Sequence, residues 1–389
     1  VAVRDAHAAC CGAVAADIAA GIRTPRQLDV VSRGRAEHSN MLAAAQWLST
    51  GARAGNDTAL EQALLLCGHL DWVWHITGQH LTGRALLDPL LAQAESKSPS
   101  RGRGLARITA GGLSTSTGEW ERSLTEWLAG AADGAAIGDA TLEAEGLMGA
   151  GYSNLSMGRI DDAAQALDRA IALSGNGVDD FLCGLSQTIL GMLRFATGDV
   201  DTGVALVERA RVTQERIGDH EGGGLALSFL AQMHLAKGDP ARSLALYQEA
   251  LRLLELVGDQ PEVARLQGEL GWTALASGDI DAARAAFIRA ARAYEGVGSL
   301  RGTGSAILGL AAVEAAAGQA ERALLIANAA EALSAREGIV LEHPMDPSLK
   351  ERINALKATV PATTLDGLVA HAAALSTDEV LRLAKLLPS

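Results

Sequence analysis

Three features of the sequence predict an all-α fold built as an array of helix pairs. Ala, Leu and Gly dominate the 389 residues, aromatics make up only 3%, and β-branched runs of strand length are scarce, a composition that favours helix over sheet. Glycines recur at a fixed step. Gly78, Gly118, Gly158, Gly198, Gly238, Gly278 and Gly318 lie 40 residues apart without an insertion, the mark of a repeat architecture. Around these anchors small and large residues hold fixed places, so that one helix can approach the next closely.

Residues 1–57 read as an N-terminal helical linker or cap. The opening VAVRDAHAACCGAVAADIAAG is Ala-rich but is interrupted by Arg4 and Asp17 and lacks the basic-then-apolar layout of a signal peptide. No run of about 18 uncharged apolar residues is present. Neither export by that route nor a membrane span is expected.

Residues 58–340 read as seven repeats of 40 residues. RFATGDVDTGVALVERARV, HLAKGDPARSLALYQEALRL and ALASGDIDAARAAFIRAARA share one frame. In each, a first helix stops at the anchor glycine and a second starts just after it. Asp239 followed by Pro240 shows how: Asp caps the new helix, and Pro takes the first helical position, where no N–H is needed. A second glycine series, Gly138, Gly218, Gly258, Gly298 and Gly338, closes the second helices midway between anchors. Each helix is then about 15 residues long.

The packing rows follow from the same frame. Seven residues before the anchors stand Asp71, Gly111, Gly151, Gly191, Ala231, Gly271 and Ala311; five after them stand Gly83, Ser123, Ala163, Gly203, Ser243, Ala283 and Ala323. Nine after them come Leu87, Trp127, Leu167, Val207, Tyr247, Phe287 and Ala327, mostly large. Knob and hole alternate. Residues 341–389 read as a C-terminal helical cap, with Ser376 and Glu379 forming a capping box.

These rows, and ELGWTALASGDIDAARAAFIRAARAYE most closely, resemble the tetratricopeptide repeat, with Leu-Gly before the turn, Gly-Asp at it, and Ala, aromatic and Ala on the second helix. The usual unit is about 34 residues; this one is similar to a longer variant of bacterial regulators. The resemblance implies a right-handed superhelix whose first helices line the concave face. Before the array, Glu37, His38, Asn40, Met41 and Leu42 resemble the E-H-x-N-L-like helix that follows the nucleotide-binding and winged-helix parts of STAND-class ATPase transcriptional regulators, of the LuxR- and SARP-associated kind. The C-terminal stretch is similar to their closing helices. That family implies an ATPase switch, a helical-repeat sensor and often a DNA-binding module, and this chain matches only the sensor.

The chemistry agrees. A formal net charge of -13 without a basic cluster disfavours a phosphate backbone. No G-x-x-x-x-G-K-[ST] loop is present to hold a nucleotide, so no cofactor is expected, and STDEVLRLAKLL ends before a recognition helix could follow. Cys10, Cys11, Cys67 and Cys183 lack disulfide-like or zinc-like spacing and read as reduced thiols of a cytoplasmic protein. His69, His75 and His80 fall on different helical faces, and DHEGGG lacks the second histidine of H-E-x-x-H, so no metal site is expected. No nucleophile and base are paired by spacing, and no enzyme is expected.

Variation inside the constant frame points to a ligand face. Six residues before the anchors stand Trp72, Gly112, Tyr152, Met192, Gln232, Trp272 and Ala312; four before them stand Trp74, Ser114, Asn154, Arg194, His234, Ala274 and Glu314. Tyr152, Asn154, Met192, Arg194, Gln232, His234 and Trp272 are the expected ligand-binding residues, lining a central groove across the third to sixth repeats, with Arg194 as the anchor for an anionic or carbonyl group. The plainer alternative makes them ordinary solvated or inter-helix residues. The expected function is a regulatory sensor that binds a small effector or protein partner and signals to its own nucleotide-binding switch domain in a longer parent. The alternative is a stand-alone scaffold binding a peptide segment. Self-association fits either.

Overall fold

The computed structural model describes residues 1–339, 341, 349–376, 379–380 and 382. All regular structure among them is helical. A hairpin of α1 (Ala2–Ile22) and α2 (Gln27–Arg53) precedes α3 (Asp57–Gly68), α4 (Asp71–Thr77) and α5 (His80–Ala94). Then come the pairs α6 (Arg101–Thr117) with α7 (Trp120–Ile137), α8 (Ala140–Ser156) with α9 (Ile160–Ser174), and α10 (Asp180–Ala196) with α11 (Val200–Ile217). They continue as α12 (His220–Ala236) with α13 (Pro240–Val257), α14 (Gln260–Ala276) with α15 (Ile280–Gly296), and α16 (Leu300–Ala316) with α17 (Ala320–Glu337). Two shorter helices, α18 (Leu349–Lys357) and α19 (Ala362–Ala374), follow. Contacts divide the chain into two compact units, Val1–Leu230 and Ala231–Ser389, so the division falls within α12.

The helix ends are where the glycines stand. All seven anchors and all five glycines of the second series have left-handed φ, closing the preceding helix without a Cβ clash. Asp239 caps α13 through the Arg242 amide at 3.1 Å, with Pro240 at the first position. The small and large rows meet as holes and knobs. In the first unit a Cβ added at Gly111 would lie 2.8 Å from Trp127, at Gly151 2.6 Å from Leu167, and at Gly191 2.5 Å from Val207. In the second, one at Gly271 would lie 2.9 Å from the Phe287 ring. Such contacts hold the two helices of a pair at a distance that any larger side chain would open.

The first pair departs from the frame. Its leading helix is broken between Gly68 and Asp71 into α3 and α4, and Asp71 stands where later copies carry Gly or Ala. Against it packs the N-terminal hairpin: Trp74 Nε1 donates to His38 Nε2 at 3.1 Å, while Asn40 Nδ2 donates to Glu37 Oε2 at 2.8 Å and Met41 is fully buried. Of the residues that carry the E-H-x-N-L resemblance, His38 thus joins α2 to α4. Among the described residues α1 is the one helix long and apolar enough to cross a membrane by length and composition, a property the sequence reading did not expect. In this fold its Cys11, Ala15, Ile18 and Ile22 are buried.

In the second unit one apolar core runs from Trp272 through Phe287, Ile307 and Leu310 to Leu333, and takes in Ile353 of α18, Ala372 of α19 and Val380. Ser376 and Glu379 cap each other reciprocally: the Ser376 amide donates to Glu379 Oε2 at 2.8 Å, and the Glu379 amide to Ser376 Oγ at 3.3 Å. Most of LRLAKLL lies outside the described residues.

Candidate interaction face

The residues expected to bind a ligand do not share one face. Positions two apart on a helix are separated by about 200° of rotation, so the row six before the anchors and the row four before them look in different directions. The first row is the open one in the first unit. Trp72, Gly112, Tyr152 and Met192 are all half-buried, with Tyr152 edge-on to Trp120 at 6.0 Å and Trp72 edge-on to Phe181 at 5.6 Å. Gln232, in the second unit, is also half-buried. Trp272 is not: it is 5% exposed, its ring edge-on to Phe287 at 5.0 Å, because the knob that fills the hole at Gly271 needs apolar cover on its other side.

The second row turns inward. Trp74, Ser114, Asn154, Ala274 and Glu314 are buried, so Asn154 offers a ligand almost no surface. Arg194 and His234, at the same place in their helices, are partly exposed. Arg194 Nη2 is 4.0 Å from Asp168 Oδ2, and His234 Nδ1 is 3.8 Å from Asp239 Oδ2. Asn154 is shut off because its row faces inward, whereas Trp272, in the otherwise open row, is shut off because its ring packs into the apolar core beside Phe287.

A polar site unforeseen in the sequence lies at the other end of the leading helices of the first unit. Asp139, Asp179 and Asp219 cap α8, α10 and α12 at the repeat spacing, and each also reaches a residue outside its own helix. Asp139 pairs with Arg101. Asp179 accepts the Leu182 amide through Oδ1 at 3.0 Å and Arg23 Nη1 through Oδ2 at 2.7 Å. Asp219 Oδ1 accepts the Gly222 amide at 2.9 Å and Gln27 Nε2 at 2.8 Å, while Gln27 Oε1 accepts the His220 amide at 2.9 Å.

Arg23 and Gln27 flank the turn between α1 and α2, which thereby reaches three successive leading helices. Arg23 Nη2 also donates to Glu145 Oε2 on α8 at 2.6 Å, and its guanidinium carbon sits 5.3 Å from the centre of the Phe181 ring. Pro25 presses on the stop glycine before α12: a Cβ at Gly218 would lie 2.9 Å from Pro25 Cα. Glycine is the residue that leaves room for the turn.

Charge is concentrated here. Burial works against the Arg23 cation, yet the Glu145 and Asp179 carboxylates raise its pKa above the ordinary range. Burial pushes the Asp71 carboxyl up to about 7, with the Glu145 charge adding to the rise and His75 and Arg23 opposing it. Burial also raises Asp219, against hydrogen bonds from the Gly222 amide and Gln27. The carboxylates here take the chain's own cation and hydrogen-bond donors, and among the residues named none pairs a nucleophile with a base.

The comparisons with known proteins fit this architecture. The Tetratricopeptide repeat family matches two overlapping stretches, 182–256 and 224–296. No curated protein matches the sequence. Among solved structures, the chain is similar to a Signal Transduction ATPase with Numerous Domains (STAND) protein with a tetratricopeptide repeat sensor from Pyrococcus horikoshii, at TM-score 0.54 and 14% identity. That alignment covers 86% of this chain and 52% of the other, so the chain spans about half the length of the STAND protein. A Rap protein complexed with competence and sporulation factor aligns at TM-score 0.53 and 15% identity over 68% of this chain and 74% of its own. The apo form of RapI aligns at TM-score 0.53 and 12% identity over 68% and 96%. The fold is therefore of the tetratricopeptide type, an all-helical repeat scaffold of the kind used for protein interaction.

Proposed function

We propose that the chain is the helical-repeat sensor of a bacterial STAND-class transcriptional regulator. It binds a protein segment or small effector on the open row of its first unit, around Tyr152 and Met192, and passes occupancy to a nucleotide-binding switch. The observation that carries this reading is the pinning of the α1–α2 turn to α8, α10 and α12 by Arg23 and Gln27. A ligand that changes the spacing of those helices changes the fit of the hairpin, and the hairpin is the segment that the family resemblance places next to the switch. The likeness to the STAND protein with a tetratricopeptide sensor supports the same assignment. In this reading the chain catalyses nothing, works in the cytoplasm, and binds neither ATP nor DNA by itself.

The parent reading frame is the first test. A nucleotide-binding module upstream supports the sensor, and a complete frame beginning near Val1 reduces the chain to a scaffold. Within the full regulator, Tyr152→Ala and Met192→Ala are expected to abolish effector-dependent reporter output at matched protein level. A wild-type response from both would refute the open-row site. Micromolar ATP binding to the isolated chain in calorimetry would contradict the division of labour.

A further inference from the structure

The contacts of Arg23 have the form of a recognition site rather than of a simple ion pair. Two carboxylates from successive leading helices, Glu145 of α8 and Asp179 before α10, take separate guanidinium nitrogens at 2.6 and 2.7 Å. The Phe181 ring lies beside the guanidinium at 5.3 Å and is itself braced edge-on by Trp72 at 5.6 Å. A planar cation with forked donors satisfies both demands, and a lysine ammonium does not.

Two parts of the pocket are held by contacts that do not involve its occupant. Asp179 is oriented by its own cap bond to the Leu182 amide, and Phe181 is 2% exposed in the first turn of α10. Its carboxylates are 12% exposed, and Asp71 adds a third acidic group nearby. Without Arg23 the cluster keeps a strong demand for a cation. The occupant, by contrast, follows the last residue of α1 on a short turn, 122 and 156 residues away in the chain from its two partners.

We propose that Trp72, Glu145, Asp179 and Phe181 form an arginine-recognition pocket that Arg23 of the same chain fills in this structure, and into which an arginine of a partner segment docks when the α1–α2 turn withdraws. The proposal rests on the reading that the first unit binds a protein segment, and it names that segment's chemistry: cationic and arginine-bearing. The acidic balance of the whole chain, -13, favours such a partner over an anionic one. Withdrawal frees Gln27 from Asp219 at the same time, so partner binding and hairpin release are one event.

The probe is the chain's own turn as a peptide, acetyl-Ile-Arg-Thr-Pro-Arg-amide, with a version carrying Lys for both Arg residues as control. By titration calorimetry Arg23→Ala is expected to bind the Arg peptide about tenfold or more tightly than wild type does, and about tenfold more tightly than it binds the Lys peptide. Adding Glu145→Gln should abolish that preference. Arg23→Lys, which keeps a cation in place, covers the case in which Arg23→Ala fails to fold: the Arg peptide should displace Lys at that site. In wild type, saturating peptide should lower hydrogen-exchange protection of the residue 22–27 amides. Equal affinity for the Arg and Lys peptides, or a preference that survives Glu145→Gln, overturns the pocket. Such a failure leaves the sensor reading intact, since that is decided by the parent reading frame and the reporter response.

Discussion

The two units use one repeat frame to opposite ends. In the second, the row six before each anchor closes beyond Gln232: Trp272 is 5% and Ala312 1% exposed, and both belong to a continuous apolar core that reaches Val380. In the first, the same row stays half-open from Trp72 to Met192, and the N-termini of the leading helices carry acidic groups paired to Arg23, Arg101 and Gln27. The repeat frame dictates spacing but not purpose. What changes is the cover: Trp272 and Ala312 are taken into one continuous apolar core, whereas Trp72, Tyr152 and Met192 stay partly accessible.

Substitutions that attack the frame should cost most and should rank the two units. At Gly191 an added Cβ would meet Val207 at 2.5 Å and the Gly203 carbonyl oxygen at 2.8 Å. Backbone cannot swing aside, so Gly191→Leu is expected to cost upward of about 3 kcal/mol. At Gly271 the obstacle is the Phe287 ring, and Gly271→Leu should cost about 1–3 kcal/mol. Nearest-neighbour coupling spreads either loss to adjacent repeats. Denaturant midpoints for the pair check the order, and unchanged midpoints in both would mean the small and large rows do not meet as described.

Buried charge separates the units next. Glu314 is 1% exposed and is held by Arg284 and Arg322; Arg284→Ala strands it, at a cost of about 3 kcal/mol. Arg23→Ala leaves Glu145 and Asp179 with some access to water and should cost less, about 1–2 kcal/mol. Urea melts giving the reverse order would place the structural ion pair in the first unit and the adaptable one in the second.

A third contrast is in pH dependence. Asp71 is raised from 3.8 to about 7 in the folded first unit. Between those values the folded chain keeps a proton that the unfolded chain has released, so this group makes stability fall as pH rises through that window. Asp71→Asn should remove that part of the slope, gaining on wild type at pH 8 relative to pH 5. A difference between the two proteins that does not vary with pH would show that Asp71 titrates normally. The smallest effect is expected at Arg194. It is 37% exposed and 4.0 Å from an Asp168 that is 60% exposed, so Arg194→Ala should alter stability by less than about 0.5 kcal/mol; a larger loss in a thermal melt would give that pair a structural role.

The repeat was legible because its packing is local and periodic. Gly111 meets Trp127 and Gly191 meets Val207 sixteen residues on, and the same step recurs in every copy that has a glycine there. The stop glycines, the Asp239–Pro240 start and the Ser376–Glu379 box were legible for the same reason. Of the expected ligand residues, Tyr152 and Met192 are half-buried on the outward row; Asn154 is turned inward by the rotation of about 200° between the rows, and Trp272, on the outward row, is covered by packing beside Phe287 that no single-helix period reveals. The Arg23 pocket left almost no trace. Asp139, Asp179, Asp219 and Asp259 do recur at the repeat step and could have been read as helix caps, but a contact made once, between residues 122 and 156 apart, has no period to reveal it.

That single contact bears on how the gene can change. An array with uniform 40-residue stops is open to unequal exchange, which adds or removes whole helix pairs without disturbing the register of those that remain. Arg23 and Gln27 together reach α8, α10 and α12, and one turn of chain sets their separation. Deleting the pair that carries Glu145 would put Leu185 in its place, because this carboxylate, unlike the cap Asp residues, does not recur at the repeat step. The clasp thus ties copy number to the N-terminal hairpin over that stretch, while pairs beyond it are at liberty to multiply or disappear.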